Sequence, residues 1–111
     1  MKTSSHQHGR ATVVAPRDAV VEGECDDVRR AVMEAVGNGS SHIVLDLSEV
    51  PFVDSAGLEL FCELQTTCTT GGAHLKLASP DETCSEILRI TDLDRQFQVY
   101  LSVEEAVRGL A

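Results

Sequence analysis

The stretch Phe52-Val53-Asp54-Ser55-Ala56-Gly57-Leu58 follows an apolar segment, Ile43 to Leu47, and opens a segment with helical spacing. A strand, a tight turn and a helix in this order are typical of an α/β fold. Ser55 stands where a hydroxyl can cap the new helix. Gly57 allows another part of the backbone to approach the first helical turn closely. We therefore take this turn as the centre of the predicted fold.

The chain before this turn predicts two short strands and a helix. Residues 11–15 form the first predicted strand, and residues 19–21 a second short strand or its remnant. Asp26 and Asp27 open the helix, since carboxylates favour its positive end. Gly37-Asn38-Gly39 ends it. Residues 1–10 are polar and predict a flexible segment, so we assign the folded domain to residues 11–111.

The chain after the turn predicts further strands and helices in alternation. The second helix is predicted over residues 55–70, a strand over 73–78, a third helix from Pro80 and a last strand over 97–101. Ser102 and Glu105 form a capping box for a final helix through Leu110. This order predicts an α/β fold with a small, mainly parallel mixed sheet backed by about four helices. The predicted buried residues of the second and third helices are Leu58, Phe61, Cys62, Leu64, Cys68, Ile87, Leu88 and Ile90.

Charge and composition exclude several classes of partner. The 111 residues suffice for one domain, and the formal net charge is −9. No basic stripe exists to neutralise phosphates, which argues against nucleic acids and anionic membrane surfaces. A basic protein partner is compatible with this charge. No apolar stretch is long enough to span a membrane and no signal peptide is evident, so we expect a cytoplasmic protein.

The cysteines and histidines do not form a recognisable metal motif. The four cysteines lack Cys-x-x-Cys spacing, and we expect reduced, mostly buried side chains. His6 and His8 could contact a metal ion, but in a flexible segment two histidines are more often incidental. Asp46 and Asp54 flank the end of the central strand without a histidine beside them. We therefore predict no metal ligands and no cofactor for this chain.

Catalytic motifs are also absent from the sequence. Ser55 has no histidine near it, and neither Gly-x-Ser-x-Gly nor a phosphate-binding loop occurs. His42 and His74 stand at strand starts, where a histidine with satisfied hydrogen bonds is the usual outcome. We therefore expect a protein that is not an enzyme.

The residues Asp46-Leu47-Ser48-Glu49-Val50-Pro51-Phe52-Val53-Asp54-Ser55-Ala56-Gly57-Leu58 resemble the STAS domain family, which includes the bacterial anti-sigma factor antagonists. The resemblance implies a STAS-type fold with a switch serine at the start of the second helix. It further implies that a partner kinase phosphorylates Ser55.

The resemblance also implies a function in partner switching. The unphosphorylated protein would bind an anti-sigma factor that is also a serine kinase, and phosphorylation would release it. A serine phosphatase would reset the cycle, while ATP and magnesium would belong to the kinase. The residues expected at the partner-binding surface are Asp54, Ser55, Ala56, Gly57, Glu59, Asp18 and Glu22.

Three departures from the family pattern affect this expectation. Ala56 removes a second hydroxyl, and Glu59 replaces a common glycine. The family's Gly-x-Leu-Asp near the start of the domain is missing, with Asp18 or Glu22 only loose substitutes. Two alternatives therefore stay open: a STAS protein of a chemosensory or other signalling system, and an accessory subunit of a lipid-transporting ABC system. A homodimer also stays open.

Overall fold

The computed structural model describes residues 3–108, which form a five-stranded mixed sheet with four α-helices. The strands lie across the sheet in chain order; the first pair is antiparallel and the later pairs are parallel. The predicted α/β fold is confirmed. The elements are β1 (Thr3–His8), β2 (Ala11–Pro16), α1 (Cys25–Gly37), β3 (His42–Asp46), α2 (Ser55–Thr70), β4 (His74–Ala78), α3 (Glu82–Ile90), β5 (Gln98–Tyr100) and α4 (Val103–Arg108), with a 3-10 turn at Leu93–Arg95.

The helices cover the two faces of the sheet unequally. Helices α1, α2 and α3 share a large apolar core with one face, in which Leu45, Phe61 and Leu64 are fully buried. On the other face, α4 contributes Ala106 to a small cluster with β2, β3 and β4. Ile43, Val44 and Leu45 alternate between these two cores and are all inaccessible to solvent. The near-continuous apolar run of the central strand thus reflects burial on both faces.

The prediction of a flexible segment over residues 1–10 is wrong for Thr3–His8, which form strand β1. This strand pairs with β2 along its whole length, and Thr3 is buried. A two-residue connection joins the strands, and Gly9 in it has a positive φ of 62°. The strand was not predicted from the sequence because all six of its side chains are polar and three of them are exposed, as an edge strand allows.

Residues 19–21 form a remnant of a strand, as one of the two predicted alternatives proposed. Val20 makes an isolated parallel bridge with Val53 and is buried. This bridge attaches the connection between β2 and α1 to the turn after β3.

The sequence predicted the boundaries of the helices more accurately than it predicted which of their residues are buried. Helix α2 spans the predicted range. Its buried residues differ from the prediction, because Leu60 is buried, whereas Leu58 and Cys62 are only partly buried. In α3, Leu88 is buried as predicted, whereas Ile90 is 68% exposed. The buried surface of α2 packs against both α1 and the sheet, so it is wider than a single row of apolar residues.

The helix starts show which predicted caps form. The predicted first position for Pro80 is wrong, because Asp81 caps α3 by accepting a hydrogen bond from the Cys84 amide at 2.8 Å. Ser102 caps α4 by accepting from the Glu105 amide at 3.1 Å, which confirms that half of the predicted capping box. The predicted end of this helix at Leu110 lies outside the described residues.

All four cysteines are free thiols on helices. Burial raises the pKa of Cys68 to about 11 and that of Cys84 to about 12. The Cys84 thiol donates a hydrogen bond to the Val50 carbonyl at 3.1 Å. Cys25 and Cys62 are partly buried.

Within residues 3–108, no helix combines the length and apolar character needed to cross a bilayer.

His42 and His74 begin β3 and β4 as predicted, and their rings stack with centroids 5.5 Å apart. The expectation that its hydrogen bonds are satisfied is wrong for His42, because its buried Nδ1 has no hydrogen-bond partner in the described chain. Desolvation, followed by the proximity of His74, Arg10 and Lys76, lowers the pKa of His42. The folded protein therefore disfavours a proton that the unfolded chain binds readily.

We expect the free energy of unfolding to decrease as the pH falls below about 6.5, the ordinary pKa of histidine. The sign follows from the lowered pKa of His42, because the unfolded state then binds more protons than the folded state. Urea denaturation at pH values from about 5 to about 8 would measure how steeply the free energy of unfolding depends on pH. His42→Leu should flatten this slope. An unchanged slope in His42→Leu would contradict this assignment.

Candidate functional site

The carboxylate of Asp54 caps helix α2 and connects it to a second segment of the chain. Its Oδ1 accepts a hydrogen bond from the Gly57 amide at 2.9 Å. Its Oδ2 accepts one from the Glu22 amide at 3.1 Å. The Gly57 amide, and then the Glu22 amide, lower the pKa of this carboxyl. Asp54 therefore holds the helix start and the segment before α1 together while it remains ionised.

The backbone around Val20 fixes the position of the same turn. The Val20 amide donates to the Phe52 carbonyl at 3.0 Å, and the Asp54 amide donates to the Val20 carbonyl at 3.4 Å. Val53 is buried between these bonds, so the neighbouring Phe52 projects outward and is 48% exposed. The turn lies beyond the carboxyl end of β3, where open α/β sheets place their functional loops.

Ser55 is the first residue of α2 and is exposed. The prediction that its hydroxyl caps the helix is wrong, because Asp54 occupies the cap position. Among the described residues, the Ser55 hydroxyl has no hydrogen-bond partner. Asp54, and not Ser55, binds the free Gly57 amide of this helix start, and Ser55 itself is exposed. The hydroxyl is therefore accessible from solvent.

Gly57 confirms the predicted close approach of backbone to the first turn of α2. A Cβ atom at this position would collide with the Val20 carbonyl oxygen and would lie 2.6 Å from a methyl group of Val53. Its φ is not positive, so conformational freedom is not the reason for the glycine. Space is the reason, because the Val20 segment lies directly against the helix.

Three predicted site residues, Glu22, Ala56 and Glu59, line one shallow cavity of about 220 Å³ between α1 and α2. Arg29 and Glu63 line its far side, and the Arg29 Nε lies 2.6 Å from a Glu63 carboxylate oxygen. The hydrogen bond from Arg29 lowers the pKa of Glu63. Because Arg29 also pairs with Asp26, its charge is neutralised locally. The surface beside Ser55 thus keeps an excess of negative charge.

Asp18 lies in the same connection as Glu22 but closer to β2. Its Oδ1 accepts a hydrogen bond from the Ala19 amide at 2.8 Å, and its side chain is exposed. Asp18 does not line the cavity between α1 and α2.

The sequence did not predict two features of this surface. The pairing of Arg29 with Glu63 was not predicted, because it joins residues 34 positions apart in the sequence. The exposure of Phe52 was also missed, although the alternation Phe52, Val53, Asp54 next to a strand could have indicated it.

The crowding at Gly57 predicts a strongly position-dependent effect of alanine. We expect Gly57→Ala to destabilise the fold by about 1–3 kcal/mol, as overpacking does. Gly37→Ala is the matched control, since a Cβ at Gly37 meets nothing within 4 Å near the end of α1. That variant should be neutral or slightly more stable. Urea denaturation would compare them, and equal stabilities would contradict the close approach.

The cap assignment predicts different consequences for two adjacent residues. Ser55→Ala should change the free energy of unfolding by less than about 0.5 kcal/mol, because no hydrogen bond is lost. Asp54→Ala should unfold at a clearly lower urea concentration, because two amides lose their acceptor. If Ser55→Ala were the more damaging substitution, the serine would be the cap after all.

Comparisons with known proteins identify the family. The STAS domain model matches residues 2–106. A candidate anti-sigma factor antagonist from Thermotoga neapolitana is 32% identical over 74 residues, which cover 67% of this chain and 66% of the relative, so the match spans about two thirds of its length. An anti-sigma factor antagonist from Mycobacterium paratuberculosis superposes with a TM-score of 0.87 at 19% identity, over 97% of this chain and 92% of the other. Phosphorylated SpoIIAA from Bacillus gives a TM-score of 0.74 at 16% identity, over 98% and 99% of the two chains. The chain therefore belongs to the STAS domain family and is similar to anti-sigma factor antagonists.

Proposed function

We propose that this protein is a partner-switching regulator that binds an anti-sigma factor with serine kinase activity and is released when Ser55 is phosphorylated. The observation that carries the proposal is an exposed, unbonded serine hydroxyl at the first position of α2, on a turn held rigid by Asp54 and Val20. A kinase could reach this hydroxyl without unfolding the helix. The similarity to anti-sigma factor antagonists supports this choice of partner.

A phosphate on Ser55 would change the surface without changing the fold. It would add about 1.5 to 2 negative charges at neutral pH. The free amides of the helix start favour an anion, but Asp54 already accepts hydrogen bonds from two amides in this region. Asp54 on one side and Glu59 one turn later would repel the phosphate. We therefore assign the effect to surface electrostatics rather than refolding.

The unmodified surface fits a partner with a basic rim and an apolar pocket. Glu22, Asp26 and Glu59 surround the cavity beside Ser55 and supply negative charge. Phe52 offers a large apolar group on a backbone fixed by two hydrogen bonds, so little conformational entropy is lost when it is covered. In this scheme the protein is a binding module, and the kinase supplies the catalytic groups, ATP and magnesium. A serine phosphatase restores the unmodified form.

The modification can be tested with purified protein, a purified anti-sigma factor/serine kinase from the same genome, and ATP. We expect a single phosphate, located on Ser55 by peptide mass mapping. Ser55→Ala should abolish labelling while it retains the wild-type urea midpoint. A phosphate mapped to Ser48 or Ser85, both exposed, would contradict the assignment.

The consequence for binding can be measured by titration calorimetry with the same kinase. Ser55→Asp should weaken binding by at least about 2 kcal/mol, or roughly 30-fold, because a charge is placed wrongly in the interface. Ser55→Ala should bind like wild type and serves as the matched control. Equal affinities for Ser55→Asp and wild type would place the switch elsewhere.

A further inference from the structure

Strand β1 presents two histidines on one face of the sheet. His6 pairs with Val13 and His8 with Ala11, and both partners belong to the small core beneath α4. Because directly opposed residues of antiparallel strands share a face, the two imidazoles lie on the α4 side. Their ring centroids are 6.5 Å apart and the rings are tilted by 55°. From the sequence we predict no metal ligand here, because both residues stand in a segment that is expected to be flexible.

The spacing of these rings suits a shared transition-metal ion. A zinc–nitrogen bond is about 2.1 Å, which places the ring centroids of two imidazoles on one tetrahedral ion roughly 5 Å apart. The observed 6.5 Å therefore requires an approach of about 1 Å, which a side-chain rotation on an exposed strand provides. His42 and His74 differ, since their ring planes are only 20° from parallel and the rings are stacked. Ring nitrogens bind a metal in the plane of the ring, and two stacked, nearly parallel planes do not meet at one ion.

Two histidines alone leave the coordination of such an ion incomplete. No group of three metal-ligating side chains occurs within residues 3–108. Structural zinc sites usually have four protein ligands. The remaining ligands must therefore come from water or from another molecule.

The free edge of β1 offers a way to supply them. In the described sheet β1 is an outer strand that pairs with β2 alone. Thr3–His8 contains no lysine, acid or proline, the features that usually protect an exposed edge. Antiparallel pairing of two copies about Gln7 would place His6 opposite the partner's His8 on the same face. Four imidazoles would then surround one position.

We propose that β1 is a metal-dependent pairing edge, at which one divalent cation of the zinc class joins His6 and His8 of two copies. Neutral imidazole is a preferred ligand of this class of ion. Each copy carries a net charge of −9, and this charge opposes association in the absence of metal. A positive charge at the junction offsets part of this repulsion, so the pairing requires the metal. The pairing is independent of Ser55, which lies beyond the other end of the parallel strands.

The test is sedimentation of the full chain at neutral pH with EDTA or with zinc chloride, combined with calorimetric titration of the metal. We expect monomer in EDTA, and a doubled mass with one zinc ion for two chains after zinc addition. The double variant His6→Gln/His8→Gln should remain monomeric with zinc and bind it at least tenfold more weakly. His74→Gln, at an exposed histidine on the same face, is the matched control and should dimerise like wild type.

Three results would overturn the proposal. They are the absence of zinc binding, binding of one ion to each chain without a change in mass, and dimerisation that persists in His6→Gln/His8→Gln. Circular dichroism would check that the double variant is folded, so that a loss of zinc binding is not caused by unfolding. The exposed polar character of β1 predicts that the fold is retained.

Discussion

The ionised carboxylate of Asp54 is the interaction on which the arrangement of the site depends. It accepts hydrogen bonds from the start of α2 and from the segment that leads into α1, which are separated by more than thirty positions in sequence. Both residues of the Val20–Val53 bridge beside it are buried, and Gly57 leaves the space that the bridge requires. Cap, bridge and glycine therefore form one unit, and the position of Ser55 follows from that unit.

Much of the fold was predictable because its strands and helices carry local signals. The apolar run at 43–47 and the helical spacing after residue 55 required no information on tertiary contacts. Strand β1 was not predictable in this way, because its stability comes from pairing with β2 and its side chains are mostly polar. Similarly, the exposure of Ile90 depends on where α3 ends relative to the sheet, which helical periodicity does not specify.

The site was predictable in its position but not in its internal roles. The sequence placed Asp54, Ser55 and Gly57 at one turn, and the structure agrees. It assigned the cap to the wrong residue, since serine and aspartate are both good caps and differ here by one position. The pairing of Arg29 with Glu63 joins two helices and leaves no local pattern. Long-range pairing is thus the information that a single sequence lacks.

The thin cover on the second face of the sheet has a consequence for internal motion. Lys76 is buried beneath α4, where its ammonium donates to the Ala106 carbonyl at 3.4 Å and lies 5.0 Å from the Tyr100 ring centroid. Among the described residues, no carboxylate pairs with it. Detachment of this six-residue helix would hydrate the ammonium, and that gain offsets part of the cost of exposing Ala106. Amide protons of α4 should consequently exchange with solvent through local opening, well before those of β3 exchange through global unfolding.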